Sequence, residues 1–266
     1  MYGMSRRLIR RANCRVGHHL QNVRQQFLVN QKDLEPMLIY ILFMIPGLLF
    51  MLWAQSKVKG AYHKYSKVEN SARVTGAQAA RRVLDSQGLQ DVQIESIQGE
   101  LTDHYDPRSR VLRLSQGVYS VPSIAAIGIA AHEAGHAIQH AKAYGPLKAR
   151  TAMVPVVNIG SNLGFGVLFL GLIMNQVGLA WIGVALFGLA TLFALMTLPV
   201  EFDATRRAKE ALVQVGLVDS GVSGGQESKG VSATLDAAAW TYIAGFAASM
   251  LTLLYYVMTV MGMRRD

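Results

Sequence analysis

Four long apolar runs divide the chain, at residues 37–54, 151–174, 179–200 and 237–263. About 20 apolar residues in a helix cross a hydrocarbon core of about 30 Å, so each run is long enough to span a bilayer. Only a short polar stretch joins the two middle runs, which predicts a transmembrane hairpin. The second run contains the polar Asn158, and a buried soluble helix stays open as its alternative.

Composition agrees with this pattern, since 51% of the residues are hydrophobic and 16% are charged. We therefore expect a mainly α-helical polytopic membrane protein with about four transmembrane helices. The expected segments are a basic N-terminal extension at 1–36, the first transmembrane helix at 37–54, a membrane-proximal α+β insert at 55–150, the transmembrane hairpin at 151–200, a third-ligand segment with a polar linker at 201–236, and the last transmembrane helix at 237–263.

The insert has the pattern of a small soluble domain. A helix is predicted at 77–87, followed by strands at 92–97 and 101–105. The turn residues Asp106-Pro107-Arg108-Ser109 separate the second strand from a third at 110–114, which predicts a β-hairpin. The hairpin either offers an edge strand to an extended substrate or only packs on the next helix, and both alternatives stay open.

A helix predicted at 124–143, with Ser120 and Ser123 as candidate N-caps, carries an HExxH pattern. The pattern consists of two histidines four residues apart and a glutamate beside the first: His132, Glu133 and His136. Residues four apart lie on one helix face, so both imidazoles can bind one ion. The glutamate then lies beside an open coordination position and can take a proton from a zinc-bound water. An accidental or structural histidine pair is the alternative.

The third zinc ligand is expected to be Glu201. The chain crosses the membrane and returns before this residue, so Glu201 emerges on the side of the HExxH helix. A helix N-terminal acid after Pro199 is the alternative interpretation. Asp203 is expected to orient a ligand histidine, or else to pair with Arg206 or Arg207.

Other candidate residues carry weaker signals. His140 continues the histidine ladder, but eight residues cover about 12 Å of helix axis, too far for one ion. His104 and Tyr105 are candidates to polarise a scissile carbonyl, although the sequence does not place them near it. Cys14 is the only cysteine, which excludes an intrachain disulfide and a cysteine-based zinc site.

Three separated motifs resemble the YugP-like membrane zinc metallopeptidases of bacteria: residues 132–140, residues 103–108 and residues 198–204. Residues 235–239 resemble the family as well. The resemblance implies a single-zinc, membrane-embedded neutral peptidase with a zincin-like catalytic helix, in which His132 and His136 are ligands and Glu133 is the catalytic base. In the wider set of membrane metallopeptidases similar to the heat-shock protease HtpX, an aspartate follows the ligand glutamate by four residues. Thr205 stands at that position here.

We therefore expect a zinc-dependent endopeptidase with one Zn²⁺ per chain, whose partners are the lipid bilayer and protein or peptide substrates. The alternative is a non-catalytic scaffold or adaptor with a structural metal, for which the sequence offers too few ligands. Metal transport is weaker still, because the predicted spans contain no Asp, Glu or His. No nucleic-acid partner is expected, because the basic N-terminal arm has no interleaved aromatic residues.

Basic residues near the span ends favour a bacterial inner-membrane protein with a cytoplasmic active site. On the side of the HExxH helix these residues are Lys57, Lys59, Lys64, Lys67, Lys148, Arg150, Arg206, Arg207 and Lys209. The other side has Arg24, Lys32, Arg264 and Arg265. The arginines of the arm at 1–36 oppose this orientation but lie farther from the span.

Overall fold

The computed structural model describes residues 37–219 and 225–263, so the N-terminal extension and Cys14 lie outside the described residues. The chain divides into two compact units, residues 1–45 and 46–266, and the described part of the first is the beginning of helix α1. The elements in chain order are α1 Met37–Tyr65, α2 Gly76–Ser86, β1 Gln93–Ile97, β2 His104–Asp106, β3 Val111–Ser115, α3 Gln116–Tyr119, α4 Ile124–Ala141, α5 Gly145–Ile173, α6 Val177–Gln214 and α7 Gln226–Gly262.

Helices α1, α5, α6 and α7 are long and apolar enough to cross a membrane. Their most apolar 18-residue windows have mean hydropathies between 1.7 and 2.3, and at most 24% of any window is buried inside the protein. Such outward-facing apolar surface needs lipid around it. The expected fold class, a mainly helical polytopic protein with four candidate spans and a small sheet, is confirmed.

All four helices are longer than the apolar runs. Helix α1 continues to Tyr65, α5 begins at Gly145 instead of residue 151, α6 continues to Gln214, and α7 begins at Gln226 instead of residue 237. A hydropathy pattern detects only the lipid-facing part of a helix, whereas backbone hydrogen bonding continues beyond the apolar boundary. Glu201 therefore lies inside a continuous helix and is not the helix N-terminal acid of the alternative interpretation.

The two middle spans, α5 and α6, form the expected hairpin and pack at close range. At Gly183 a Cβ atom would lie 2.4 Å from the backbone nitrogen of Leu168, so only glycine permits this approach. Helix α6 also meets α7, where the hydroxyls of Thr191 and Ser249 are 2.7 Å apart. A hydroxyl pair of this kind joins spans without leaving polar groups exposed to lipid.

The insert contains a three-stranded sheet of order β1-β3-β2. Strands β2 and β3 are antiparallel and form the predicted hairpin, with Tyr105 opposite Leu112. Strand β1 pairs with β3 in parallel, an arrangement that the sequence did not predict. Leu84 of α2 and Leu112 are fully buried, in the same hydrophobic core as Ile127 of α4 and Leu212 of α6. The soluble end of α6 thus belongs to the core of the insert.

Helix α4 lies at the centre of this core and is capped as predicted by Ser123, whose hydroxyl accepts the Ala126 N–H at 3.1 Å. Gly135, in the middle of the HExxH pattern, allows α4 to touch α6. A Cβ atom at this position would lie 2.7 Å from the carbonyl oxygen of Ala204. The absence of a side chain at Gly135 therefore sets the close approach of α4 to the helix turn that carries Glu201.

Candidate metal centre

Helices α4 and α6 bring three of the predicted site residues together. Nε2 of His132 is 3.3 Å from Oε2 of Glu201, and Nε2 of His136 is 3.6 Å from the same oxygen. The three ligand atoms all lie within 4.8 Å of one another. The histidines are partly buried, and the Glu201 side chain is only 3% exposed. Two residues one turn apart on α4 thus face one carboxylate from α6.

This donor set fits a zinc ion. Nitrogen and oxygen ligands about 2.0–2.2 Å from a tetrahedral zinc lie about 3.3–3.6 Å from each other. The two distances to the Glu201 oxygen fall within this range. Among the described residues, no further His, Cys, Asp or Glu joins the cluster. Three protein ligands leave one tetrahedral position for a water or a substrate oxygen, as in catalytic zinc sites.

The electrostatics of the cluster favour a cation. Burial alone would lower the pKa of the His136 imidazole, but a hydrogen bond that the imidazole donates to Glu201 and the charges of Glu133 and Glu201 raise it above its ordinary value. The same carboxylates that stabilise a protonated imidazole stabilise a metal ion that replaces the proton.

Gln139 orients His136 and is fully buried. Its Nε2 amide donates to the Val200 carbonyl oxygen at 2.7 Å and to Oδ2 of Asp203 at 2.9 Å. Its Oε1 oxygen is therefore left to accept a hydrogen bond from Nδ1 of His136, which is 3.1 Å away. A proton on Nδ1 leaves the Nε2 lone pair of His136 free for the metal.

Asp203 acts on His136 only through Gln139, because the glutamine lies between the carboxylate and the imidazole and is hydrogen-bonded to both. The carboxylate also accepts hydrogen bonds from the guanidinium groups of Arg206 and Arg207. The two interpretations of Asp203 are therefore compatible, since one carboxylate pairs with both arginines and holds the glutamine that orients His136.

Thr205 provides the corresponding contact to His132. Its Oγ1 is 3.3 Å from Nδ1 of His132, one helical turn after Glu201. A hydroxyl can accept the Nδ1 proton and leave Nε2 for the metal, as a carboxylate would. Thr205 thus contacts a ligand histidine from the sequence position, four residues after Glu201, that the resemblance singled out.

A cavity of about 250 Å³ opens beside the cluster. His132 and Glu133 line one side, and Glu133 is 9% exposed. The other polar lining residues come from distant parts of the chain: Tyr62, Asp103, Thr234, Thr241 and Tyr242. Glu133 therefore faces open space next to His132, and a general base for a metal-bound water needs such a position.

Asp103 is a half-buried carboxylate on this cavity wall. Burial raises its pKa, and the charge of Glu133 adds to this effect, while hydrogen bonds from the Ser115 backbone and hydroxyl act in the opposite direction. The Ser115 hydroxyl oxygen is 3.1 Å from each of the two Asp103 carboxylate oxygens, which accept its hydrogen bond. These bonds attach the loop before β2 to the end of β3 and fix that wall of the cavity.

The structure does not bring the two weaker candidates into this cavity. Nδ1 of His104 is 2.9 Å from the Thr102 carbonyl oxygen, and the Tyr105 hydroxyl is 2.9 Å from Nδ1 of His140. Neither His104 nor Tyr105 is among the residues that line the cavity. His140 likewise lies outside the ligand cluster, as its distance along the helix predicted.

Sequence reasoning assigned no role to four residues that the structure places at the site: Asp103, Gln139, Thr205 and Tyr242. Asp103 belongs to the family-like motif at 103–108, and two of the others carried a weak signal. Gln139 lies three residues after His136, within reach on the same helix face, and Thr205 lies four residues after Glu201. Tyr242 carried no signal, because an aromatic residue near the end of an apolar run is common in membrane proteins.

Two comparisons with known proteins identify the family of the chain. Residues 40–261 match the model of the family described as "Putative neutral zinc metallopeptidase". The chain is also 46% identical over 230 residues to the "Putative membrane protease YugP" of Bacillus subtilis (strain 168), an alignment that covers 86% of this chain and 100% of that protein. No solved structure matches the chain.

Proposed function

The chain belongs to the neutral zinc metallopeptidase family whose model it matches, and on this premise we propose that it is a membrane-embedded, zinc-dependent endopeptidase. It hydrolyses peptide bonds of protein substrates with a metal-activated water. The observation that carries the proposal is the meeting of His132, His136 and Glu201 at one point, with Glu133 beside them on the wall of a cavity.

In this proposal His132, His136 and Glu201 hold one zinc ion per chain. A bound zinc supplies Lewis acidity, which lowers the pKa of a water and polarises the scissile carbonyl. Glu133 accepts the proton of the attacking water and later donates it to the leaving amine. Gln139 and Thr205 keep the two imidazoles in the orientation and tautomer that the ligands need.

Tyr242 is the residue that we assign to stabilise the carbonyl oxygen as it gains negative charge. Its side chain lines the same cavity as His132 and Glu133. A phenolic O–H on the wall of this cavity can donate a hydrogen bond to the developing oxyanion. Tyr62 also lines the cavity, but its hydroxyl lies close to Gly117 of α3.

A purely structural metal is less well supported. Structural zinc sites are usually closed by four protein ligands. Only three ligating residues meet in the described part of the chain. The cavity beside the cluster is lined by His132 and by the Glu133 carboxylate. A structural metal site needs no such non-ligating carboxylate beside it.

The proposed location is the bacterial inner membrane, with several spans and the active site on the cytoplasmic side. The four apolar helices and the membrane protease of Bacillus subtilis support the membrane location. The orientation follows from the Lys and Arg residues near the span ends on the side of α4.

The experiment is a comparison of metal content and proteolysis in detergent-purified proteins. We expect about one zinc per wild-type chain and cleavage of an unfolded model protein. Glu133→Gln should keep zinc but lower cleavage by at least about 100-fold, because it removes the general base. Glu201→Ala should lose zinc, and His132→Ala should lose both zinc and activity.

Glu95→Gln is the matched control, because the same substitution at an exposed carboxylate of β1 should change neither property. Cleavage retained in Glu133→Gln would refute the assigned base. Equal zinc in wild type and Glu201→Ala would refute the third ligand.

A further inference from the structure

Two tryptophans mark the level at which α1 and α7 enter the membrane. Trp53, near the end of the first apolar run, contacts Trp240, near the start of the last, with ring centroids 5.5 Å apart in edge-to-face geometry. Their exposed fractions are 43% and 42%. The Lys57 ammonium lies 5.6 Å from the Trp53 ring centroid. Exposed tryptophans beside a lysine are typical of the bilayer interface, where the ring is half in lipid.

The candidate active-site cavity extends across this level. On α1, the lining residues Val58 and Tyr62 lie about 6 and 12 Å along the helix axis beyond the end of the apolar run at residue 54. On α7, the lining residue Tyr242 lies about 3 Å along the axis beyond Trp240, toward the membrane interior. Glu201 directly follows the third apolar run. The site is therefore neither deep in the bilayer nor far above it.

Two walls of the cavity are the membrane helices themselves, and both walls combine apolar and polar side chains. Val58 comes from α1, and Leu235 and Ala238 come from α7, while the polar residues on these walls are one tyrosine of α1 and two threonines and a tyrosine of α7. A cleft bounded by two spans at the interface suits a substrate segment that is held at that level.

This position limits which peptide bonds can be reached. An extended chain advances about 3.3 Å per residue, so a cavity whose α1 wall reaches about 12 Å beyond the apolar boundary admits about four residues beyond a membrane segment. We infer that the substrates are membrane-inserted chains, cut within about four residues of the point where they leave the bilayer on the active-site side. This inference rests on the proposed peptidase function and adds the location of the scissile bond.

The test uses the full-length zinc-loaded protein in vesicles of phosphatidylethanolamine and phosphatidylglycerol. One substrate has a cleavable apolar segment joined directly to a single transmembrane helix. A second has a stiff proline-rich spacer of about 12 residues, which moves the segment about 37 Å from the bilayer. A third is the free segment without the helix. The measured quantity is the initial cleavage rate of wild type minus that of Glu133→Gln.

The directly joined substrate should be cut at least about tenfold faster than either of the others. The two anchored substrates share the same surface concentration, so their difference measures distance from the bilayer and not tethering. Equal rates for the two anchored substrates, or faster cleavage of the free segment, would overturn the inference. If wild type cuts none of the three above the Glu133→Gln background, the proposed peptidase function itself is wrong.

Discussion

Replacement of Gln139 by methionine is the most informative test of how the metal centre is built. The methionine side chain is about as long as that of glutamine, but its thioether cannot replace the hydrogen bonds that the amide donates and accepts. The substitution removes the acceptor 3.1 Å from Nδ1 of His136, together with the donors to Asp203 and to the Val200 carbonyl oxygen. The substitution leaves the three metal-ligating groups unchanged, namely the Nε2 atoms of His132 and His136 and the Glu201 carboxylate.

The expected loss of zinc affinity is large because Gln139 is fully buried and water cannot replace it. Loss of a group that orients a ligand histidine lowers metal affinity about 10–100-fold. This corresponds to about 1.4–2.7 kcal/mol of binding free energy. Separately, loss of the buried hydrogen bond from Gln139 to the Val200 carbonyl oxygen costs about 0.5–1.5 kcal/mol of folding stability. Asp203 stays paired with Arg206 and Arg207, which limits further damage.

The assay is a competition titration of zinc against a chelator, with thermal unfolding of the metal-free protein measured alongside. The stability measurement separates a weakened site from a partly unfolded protein. Gln116→Met is the matched control, because Gln116 is an exposed glutamine on α3 and should change neither quantity. If folded Gln139→Met binds zinc as tightly as wild type, Gln139 does not position His136, and the reasoning fails.

Three further predictions concern neighbouring residues. Thr205→Val should weaken zinc binding about tenfold, because it removes the hydroxyl at Nδ1 of His132; an unchanged dissociation constant would exclude this contact. Gly135→Ala should lower the free energy of unfolding by about 1–3 kcal/mol and weaken zinc binding, because its Cβ meets a backbone carbonyl of α6; the readouts are a denaturation curve and a zinc titration. Tyr242→Phe should lower kcat about 100-fold with zinc content and KM unchanged, whereas Tyr255→Phe, farther along α7, should have no effect. Reduced zinc content in Tyr242→Phe would instead indicate a role in holding the ligand carboxylate.

Much of the fold was predictable because its signals are local. The apolar runs identified all four spans, and helix α4 was predicted at 124–143 and observed at Ile124–Ala141. Turn residues predicted the hairpin of β2 and β3. The parallel pairing of β1 with β3 was not predictable, because parallel partners are not joined by a turn and leave no short-range signature.

The sequence by itself determined the two histidines and the glutamate of the HExxH helix, since residues one turn apart share a face on any helix. It also singled out Glu201, through the return of the chain across the membrane. Only the tertiary structure decided that Gln139 reaches Val200 and that Thr205 reaches His132. Those contacts join residues 61 and 73 positions apart. They depend on how closely α4 approaches α6, and packing between helices is a property of the folded chain that no local pattern encodes.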